Sequence, residues 1–240
     1  MGLAEDMNRA LHKELNCHLA WLPISNTFAL GDYGVFSRGI FTKMGSVADF
    51  GLGFDQATGP DVKLDFASKE TAVVNLLGEV AVDVFPQGAL NAKIKISFKK
   101  ESSFLLKAAK VAVSEIQNLQ QLMDQLKARP DWRRANKIVA KVWRAQDAAL
   151  LAASNADTEV TLSGDVPRLQ QFQLGKASAE LRVGKNKELG AELVGKSGIV
   201  GLGLVQRGIF GDVGYLGDAD TPATIVQVPS TGEMPNDDYI

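Results

Sequence analysis

Gly190-Ala191-Glu192-Leu193-Val194-Gly195-Lys196-Ser197 matches the string G-x-x-x-x-G-K-S. At that spacing the backbone amides of a glycine-rich loop cradle phosphates, a lysine reaches the terminal phosphates and a hydroxyl holds magnesium. The chemistry needs a buried strand before the loop and a helix after it, whose N-terminal amides face the anion. Within this string the residues alternate as in a strand, and Gly198-Ile199-Val200-Gly201 follow, which is a poor helix start. The acid that would complete a magnesium site ends Val80-Ala81-Val82-Asp83, upstream of the string where such proteins usually have it downstream. A P-loop nucleotide-binding protein using Gly190, Gly195, Lys196 and Ser197 is therefore the third of three functional readings.

Imidazole chemistry is limited to His12 and His18, and thiol chemistry to Cys17. Leu3, Met7, Leu11, Leu15 and Leu19 recur at spacings of four, which predicts an amphipathic helix over 3–19. On that helix Cys17 and His18 are neighbours about 100° apart, a poor thiolate and base pair. Neither C-x-x-C nor H-x-x-x-H spacing is present, and the expectation is helix-surface histidines and a half-buried cysteine. The carboxylates are scattered and no G-x-S-x-G elbow occurs, so no catalytic, cofactor-binding or metal residue is assigned and the protein is read as non-enzymatic. Arg129, Arg133 and Arg134 with Trp132 form a small basic-aromatic cluster. Without an RNP-like or zinc-finger signature it reads as a solvated helix turn, and no nucleic-acid partner is expected.

The elements that must position these residues come from a chain of 240 residues, 45% hydrophobic and 22% charged. Such a chain can bury roughly 70 to 75% of its unfolded surface without disulfides or metal. Collagen, disorder and a cysteine scaffold are excluded; a lone cysteine is compatible with a reducing compartment. No apolar run is long enough for a membrane-spanning helix, and the N-terminus lacks signal-peptide features, so a cytoplasmic protein is expected. Asp6 stands where a myristoylation signal wants Ser or Thr, so Gly2 is not expected to carry that lipid.

The formal net charge of -2 conceals an asymmetry. Arg207 is the last basic residue, and Asp212, Asp218, Asp220, Glu233, Asp237 and Asp238 follow it, leaving +4 for residues 1–207 and -6 for 208–240. The division is into an α+β body, 1–207, and an acidic tail, 208–240. Pro222, Pro229, Pro235, Gly217 and Gly232 make the tail extended apart from a β-like Thr224–Val228. It is either a solvated end or a mask docked on the basic body.

Within the body, short glycine-punctuated apolar segments between Trp21 and Phe98, at 27–30, 34–36, 39–41, 47–54, 62–66, 73–77 and 80–85, predict antiparallel strands. In 92–99, Ala92, Ile94, Ile96 and Phe98 alternate with Lys93, Lys95, Ser97 and Lys99, the pattern of a half-buried strand. Helical spacing without Gly or Pro predicts a helix of about 15 to 25 residues within 103–128. Residues 136–163 are ambiguous between helix and strand, with a lean to β after Asn136 and a turn at Ser154-Asn155-Ala156-Asp157. Residues 177–193 predict a hairpin with one apolar face, continuing into the glycine-rich 198–204. Gly31-Asp32-Tyr33-Gly34 and Arg38-Gly39-Ile40-Phe41 are echoed in swapped order by Gly211-Asp212-Val213-Gly214 and Arg207-Gly208-Ile209-Phe210, with no solenoid period.

The fold class is therefore α+β: a twisted, mainly antiparallel sheet with amphipathic hairpins, an N-terminal helix and an inserted helix. With a short acidic tail after a basic body, this order of elements resembles the bacterial gasdermins over the whole chain. The resemblance implies a soluble monomer whose C-terminal peptide blocks oligomerisation and is removed by a caspase-like protease. The freed body then assembles as a homo-oligomer into inner-membrane pores that kill the infected cell in defence against phage. Amphipathic strand pairs fit a membrane β-barrel. Lys93, Lys95, Lys99 and Lys100 would face anionic lipid, each attracted by about 1 kcal/mol. The resemblance also implies a lipid-modified cysteine very near the N-terminus, for which Cys17 is the candidate in this chain. The second reading is a non-enzymatic α+β binding or structural module whose partner pairs with a sheet edge.

Overall fold

The computed structural model describes residues 2–75, 93–163, 181–183, 189–207 and 213–216. The architecture is α+β, two α-helices against a large antiparallel sheet. Helix α1 (Leu3–Leu15) is followed by β1 (His18–Leu19), β2 (Asp32–Ser37), β3 (Ile40–Ser46), a 3-10 turn Val47–Phe50, β4 (Gln56–Thr58) and β5 (Val62–Ala67). Next come β6 (Thr71–Asn75), β7 (Lys93–Phe98), β8 (Phe104–Ile116), α2 (Leu119–Lys127), β9 (Lys137–Ala153) and β10 (Thr158–Ser163). The chain closes with β11 (Leu181–Val183), β12 (Leu189–Arg207) and β13 (Val213–Tyr215).

The 17-residue β9 is the spine. One edge carries β12 along nearly its whole length, and the other carries β8 and then β2. Strands β1 and β13 pair with β12, β3 with β2, and β4 and β5 with β8, which makes nine strands; β11-β10-β7-β6 form a second sheet of four. The sequence puts small residues where α1 crosses the large sheet. Met7 and Leu11 of α1 pack on Ala145, Ala148, Leu150 and Ala152 of β9 and on Leu106, Ala108 and Val111 of β8. The core-facing positions change parity between Ala145 and Ala148 because Asp147 takes a left-handed conformation (φ 47) and drops out of the ladder. The register with β8 and β12 is the same on both sides of Asp147, so the change is confined to that residue and both halves of β9 face the same helix.

A one-residue shift of β8 against β5 explains the largest departure from the sequence reading. Residues 104–116, expected as helix, form β8, and only Leu119–Lys127 is helical. The buried Leu106 and Ala108, then Val111, are one strand face interrupted by a register shift against β5, and the interruption mimics a three-to-four spacing. Pairing on both edges, to β5 and β9, overrides the helix propensity of Leu and Ala. Helix α1 also stops earlier than expected. Asn16 adopts φ 49 and its N–H bonds His12 O, so the chain leaves the helix before Cys17 and His18. Residues 47–50 form a turn of 3-10 helix closed by a capping box between Ser46 and Asp49, where a strand was expected.

Other expectations hold. Residues from Lys137 are β, turning at Ser154–Asp157 into β10. In β7, Ile96 and Phe98 are buried while Lys95 is only half-buried. The hairpin expected at 177–193 is not one pair: Leu181–Val183 pairs with β10, whereas β12 pairs with β9. Residues 80–85 and 177–180 lie outside the described residues. The first pair of echoed tetrapeptides falls at the β2–β3 hairpin; of the second, Arg207, Val213 and Gly214 pair between β12 and β13, and 208–212 lie outside the described residues.

Candidate functional site

Residues 18–19 and 213–216, far apart in sequence, both pair with β12. β13 adds to its last turn of sheet, with Tyr215 opposite Val205, Gly214 opposite Gln206 and Val213 opposite Arg207. The next residue continues the contact, as Leu216 N–H donates to Leu204 O at 2.8 Å. Further along the same edge, the one away from β9, β1 sets His18 opposite Leu202 and Leu19 opposite Gly201. The repeated glycines of β12 permit this crowding. A Cβ at Gly203 would lie 2.7 Å from Lys141 Cβ and 3.3 Å from Tyr215 Cε1. Glycine in a strand interior commonly marks such a close approach.

Two side chains hold the C-terminal segment. Lys141 of β9 places its ammonium 5.2 Å from the Tyr215 ring centre and 2.7 Å from Glu115 Oε2. Burial works against the Lys141 charge, but Glu115 and Tyr215 outweigh it and hold the ammonium above its usual range. Burial pushes the Tyr215 phenol up. Hydrogen bonding to Lys141 lowers the Glu115 carboxyl. On the opposite side the His18 Nε2–H donates to Leu216 O at 3.0 Å, joining residues 198 apart in sequence. The ring is 2% exposed, stacked on His12 at 4.5 Å and tilted against Phe36 at 4.6 Å. Burial first, then the neighbouring His12, lowers its pKa to about 4, against the pull of the Leu216 carbonyl. It is a neutral hydrogen-bond donor at pH 7, a clasp rather than a base.

Cys17 and His18 are successive residues of extended chain, so their side chains point to opposite faces and the imidazole cannot activate the thiol. Cys17 lines a 250 Å³ apolar cavity with Leu11, Leu15, Val62, Leu64, Trp143 and Val200. Burial pushes its thiol up to about 12. The helix-surface histidines and half-buried cysteine expected from sequence are corrected accordingly: His18 and Cys17 are both buried beyond the end of α1. Only the thiolate attacks an electrophile, so maleimide labelling of Cys17 in the intact native chain at pH 7.5 should be at least about a hundredfold slower than in urea. Equal rates would show that the segment opens freely.

The phosphate-loop string lies wholly inside β12, with Gly195 opposite Ala148 and Ser197 opposite Gln146, and no helix follows it. Lys196 and Ser197 are exposed on an ordinary strand, without the converging amides that bind phosphate. Among the described residues no group of three His, Cys, Asp or Glu is placed to hold a metal ion. The lysines proposed to face lipid are partly neutralised: Lys95 pairs with Glu159 at 2.7 Å and Lys100 with Glu70 at 2.6 Å. Lys99 is exposed, and Lys93 stands opposite Ser163 in the β7–β10 ladder. Asp212, Asp218, Asp220, Glu233, Asp237 and Asp238 lie outside the described residues.

The basic-aromatic cluster is not a solvated helix turn. Trp132 packs edge-on to Tyr33 and Phe50, and Arg129 lies 5.0 Å above the Phe50 ring while donating to Phe50 O at 3.1 Å. It fastens the end of α2 to the sheet, leaving Arg133 and Arg134 exposed. Sequence reasoning missed Lys141, Gly203 and Leu216; the spacing Gly198, Gly201, Gly203 was the signal that something approaches β12 closely.

No protein-family model matches the sequence. No curated protein matches it either. Among solved structures the chain is similar to a bacterial gasdermin from Bradyrhizobium tropiciagri, with a TM-score of 0.37 and 17% identity over 88% of this chain and 90% of that one.

Proposed function

We propose that the protein is a gasdermin-like pore-forming effector, a body of residues 1–207 kept soluble and monomeric by the segment 208–240. The observation that carries this reading is the seat of residues 213–216. They occupy the edge of β12 next to β1, clasped by His18 and Lys141, where a further strand or a second copy would otherwise pair. An open strand edge is a template for pairing, and covering it prevents association. In this reading a caspase-like protease cuts between Arg207 and Thr224, the edge is uncovered, and copies of the body assemble at the inner membrane. Death of the infected cell in antiviral defence is the proposed outcome.

The strand lengths support the same reading. A membrane-crossing β-strand needs about 9 to 11 residues; β8 has 13, β9 has 17 and β12 has 19. Among the described residues no helix is long and apolar enough to cross a membrane, which leaves strands as the elements available for the task. Insertion requires α1 to leave the sheet face it now covers, since Ala148, Leu150 and Ala152 are buried beneath it. Lys93, Lys95, Lys99 and Lys100 would meet anionic headgroups, Lys95 and Lys100 once Glu159 and Glu70 are displaced. Acylation of Cys17 belongs to the same sequence of events and needs the 16–20 segment to open first.

Liposomes of anionic lipid loaded with dye test the proposal. A protease site inserted between Arg207 and Thr224 should give leakage and large oligomers only after cutting. A cut chain that stays monomeric and leaves several lipid mixtures intact removes the proposal. One observation favours the second reading, a non-enzymatic binding module: β3 ends the sheet with Met44 53% exposed. That module would capture a partner strand in the intact chain and would show no change in size on cleavage.

A further inference from the structure

The seam that clasps the C-terminal segment contains two imidazoles, and their hydrogen bonding is unbalanced. A neutral histidine ring carries one N–H. In His18 the Leu216 carbonyl takes it, at 3.0 Å. The other nitrogen, Nδ1, lies 3.3 Å from Asn8 Oδ1, an oxygen that already accepts the Leu19 N–H at 2.9 Å. Two acceptors therefore face one donor. His12 lies parallel to the ring at 4.5 Å and 11°, and its own Nδ1 is buried without a hydrogen-bond partner.

The charged groups on the surrounding elements are engaged elsewhere. On α1, Glu5 pairs with Arg9 and Asp6 accepts from Ser102, while Lys13 and Glu14 are exposed. On β2, Asp32 holds Lys43, and at the β2–β3 corner Arg38 is exposed. On β9, Lys141 holds Glu115 and lies against Tyr215 of β13. From β12 the residue opposite His18 is the apolar Leu202. Among the described residues, no carboxylate bonds either imidazole, so a proton arriving at the pair has no counter-charge in contact.

We propose that the stacked His12–His18 pair is a proton-operated catch, which on protonation releases residues 213–216 from β12 while the sheet stays folded. A buried imidazolium beside a second ring gains most from access to water. The opening that costs least supplies it. Helix α1 is anchored by Met7 and Leu11 in the main core, whereas β13 is three residues long at a sheet edge. Short edge elements with few buried contacts open first. This goes beyond the proposed function, because it concerns how the segment is held and not what its release does.

The direction in pH follows from His18. Solvated, the ring takes its proton near 6.5; clasped, only near 4, mainly because it is buried. Closing the catch therefore expels a proton. The closed state is fully favoured above about pH 6.5, and its ratio to the open state falls by up to about tenfold per pH unit as pH drops from there toward 4.

Amide hydrogen exchange of the intact chain at pH 7.5 and pH 5, corrected for the pH dependence of chemical exchange, reads this directly. Protection at Val213–Leu216 should fall at least tenfold while the β8 and β9 amides keep theirs. His18→Gln retains a donor for Leu216 O but cannot titrate, and its protection should not change with pH. Should that variant lose β8–β9 protection as well, His12→Phe keeps a ring in the stack but removes the neighbour that lowers His18, and the fall should be smaller and level off at a higher pH. Flat protection at 213–216 in the natural chain, a fall shared by β8 and β9, or an unaltered fall in His12→Phe overturns the catch. Liposome leakage is scored separately: pH-dependent opening without leakage on cleavage removes the pore and leaves the catch, and the converse result does the reverse.

Discussion

Gly198→Val is expected to destabilise the fold by more than about 3 kcal/mol, enough to remove most of the stability of an ordinary domain. Gly198 sits inside β12 opposite Ala145, and residues 20–26 run across it as a strap. A Cβ at 198 would overlap the Ile24 carbonyl oxygen and Cα and come within 2.6 Å of its carbonyl carbon. These are backbone atoms, so no side-chain rotation relieves the overlap. The strap cannot retreat cheaply either. Ile24 N–H donates to Ile199 O at 2.9 Å, and Asn26 Nδ2 donates to Ile199 O and Leu22 O at 2.9 Å and to Ala20 O at 3.1 Å. Ile24 is itself held at φ 71, a conformation a β-branched residue adopts only when its surroundings enforce it. Gly59→Ala is the control: the nearest atom to its Cβ would be Val113 O at 3.8 Å, so its effect should stay within about 0.5 kcal/mol. Chemical denaturation of both variants checks the pair. Equal midpoints would mean that the strap yields and does not constrain β12.

The strap also marks where sequence reasoning ran out. Local alternation sufficed for β7, because Ile96 and Phe98 are buried while Lys95 and Ser97, before and between them, are only half-buried and Lys99 is exposed. It sufficed for the start of β9, where β-branched Ile138 and Val139 and the polar turn at 154–157 agree with each other. It failed for β8, because the one-residue shift against β5 between Ala108 and Val111 converts a two-residue period into an apparent helical one. It failed at Cys17 and His18 for a shorter-range reason. A single left-handed Asn16 ends α1, and Asn tolerates that conformation without announcing it. The clasp was the least legible part, since His18 and Leu216 meet only when β1 and β13 come together around β12. The charge split at Arg207 pointed to a tail with a docking role, but not to a neutral imidazole as the group that holds its first residues.

Lys43→Met should cost about 3 kcal/mol, far more than removal of an ordinary surface lysine. Asp32 opens β2 at 2% exposure, with one carboxylate oxygen accepting the Ala29 N–H at 2.8 Å and the other 2.8 Å from Lys43 Nζ. Lys43 comes from β3, where Gly34 rather than Asp32 is its register partner, so the ion pair reaches diagonally across the two strands. The lysine is partly exposed, which alone would predict a weak surface pair. The burial of its partner decides otherwise, since removing the cation leaves a carboxylate excluded from water with only a backbone N–H to meet it. Gly31 packs beside it with a Cβ position 2.9 Å from Val47 Cγ2, so the turn has little room to rotate Asp32 outward. The double variant Lys43→Met with Asp32→Asn should recover more than half of the loss, because the amide keeps the acceptor for Ala29 and sheds the charge. Thermal or urea denaturation of the single and double variants measures this coupling. If Lys43→Met alone melts within about 0.5 kcal/mol of the natural chain, water reaches Asp32 and the hairpin β2–β3 is looser than its hydrogen bonds imply.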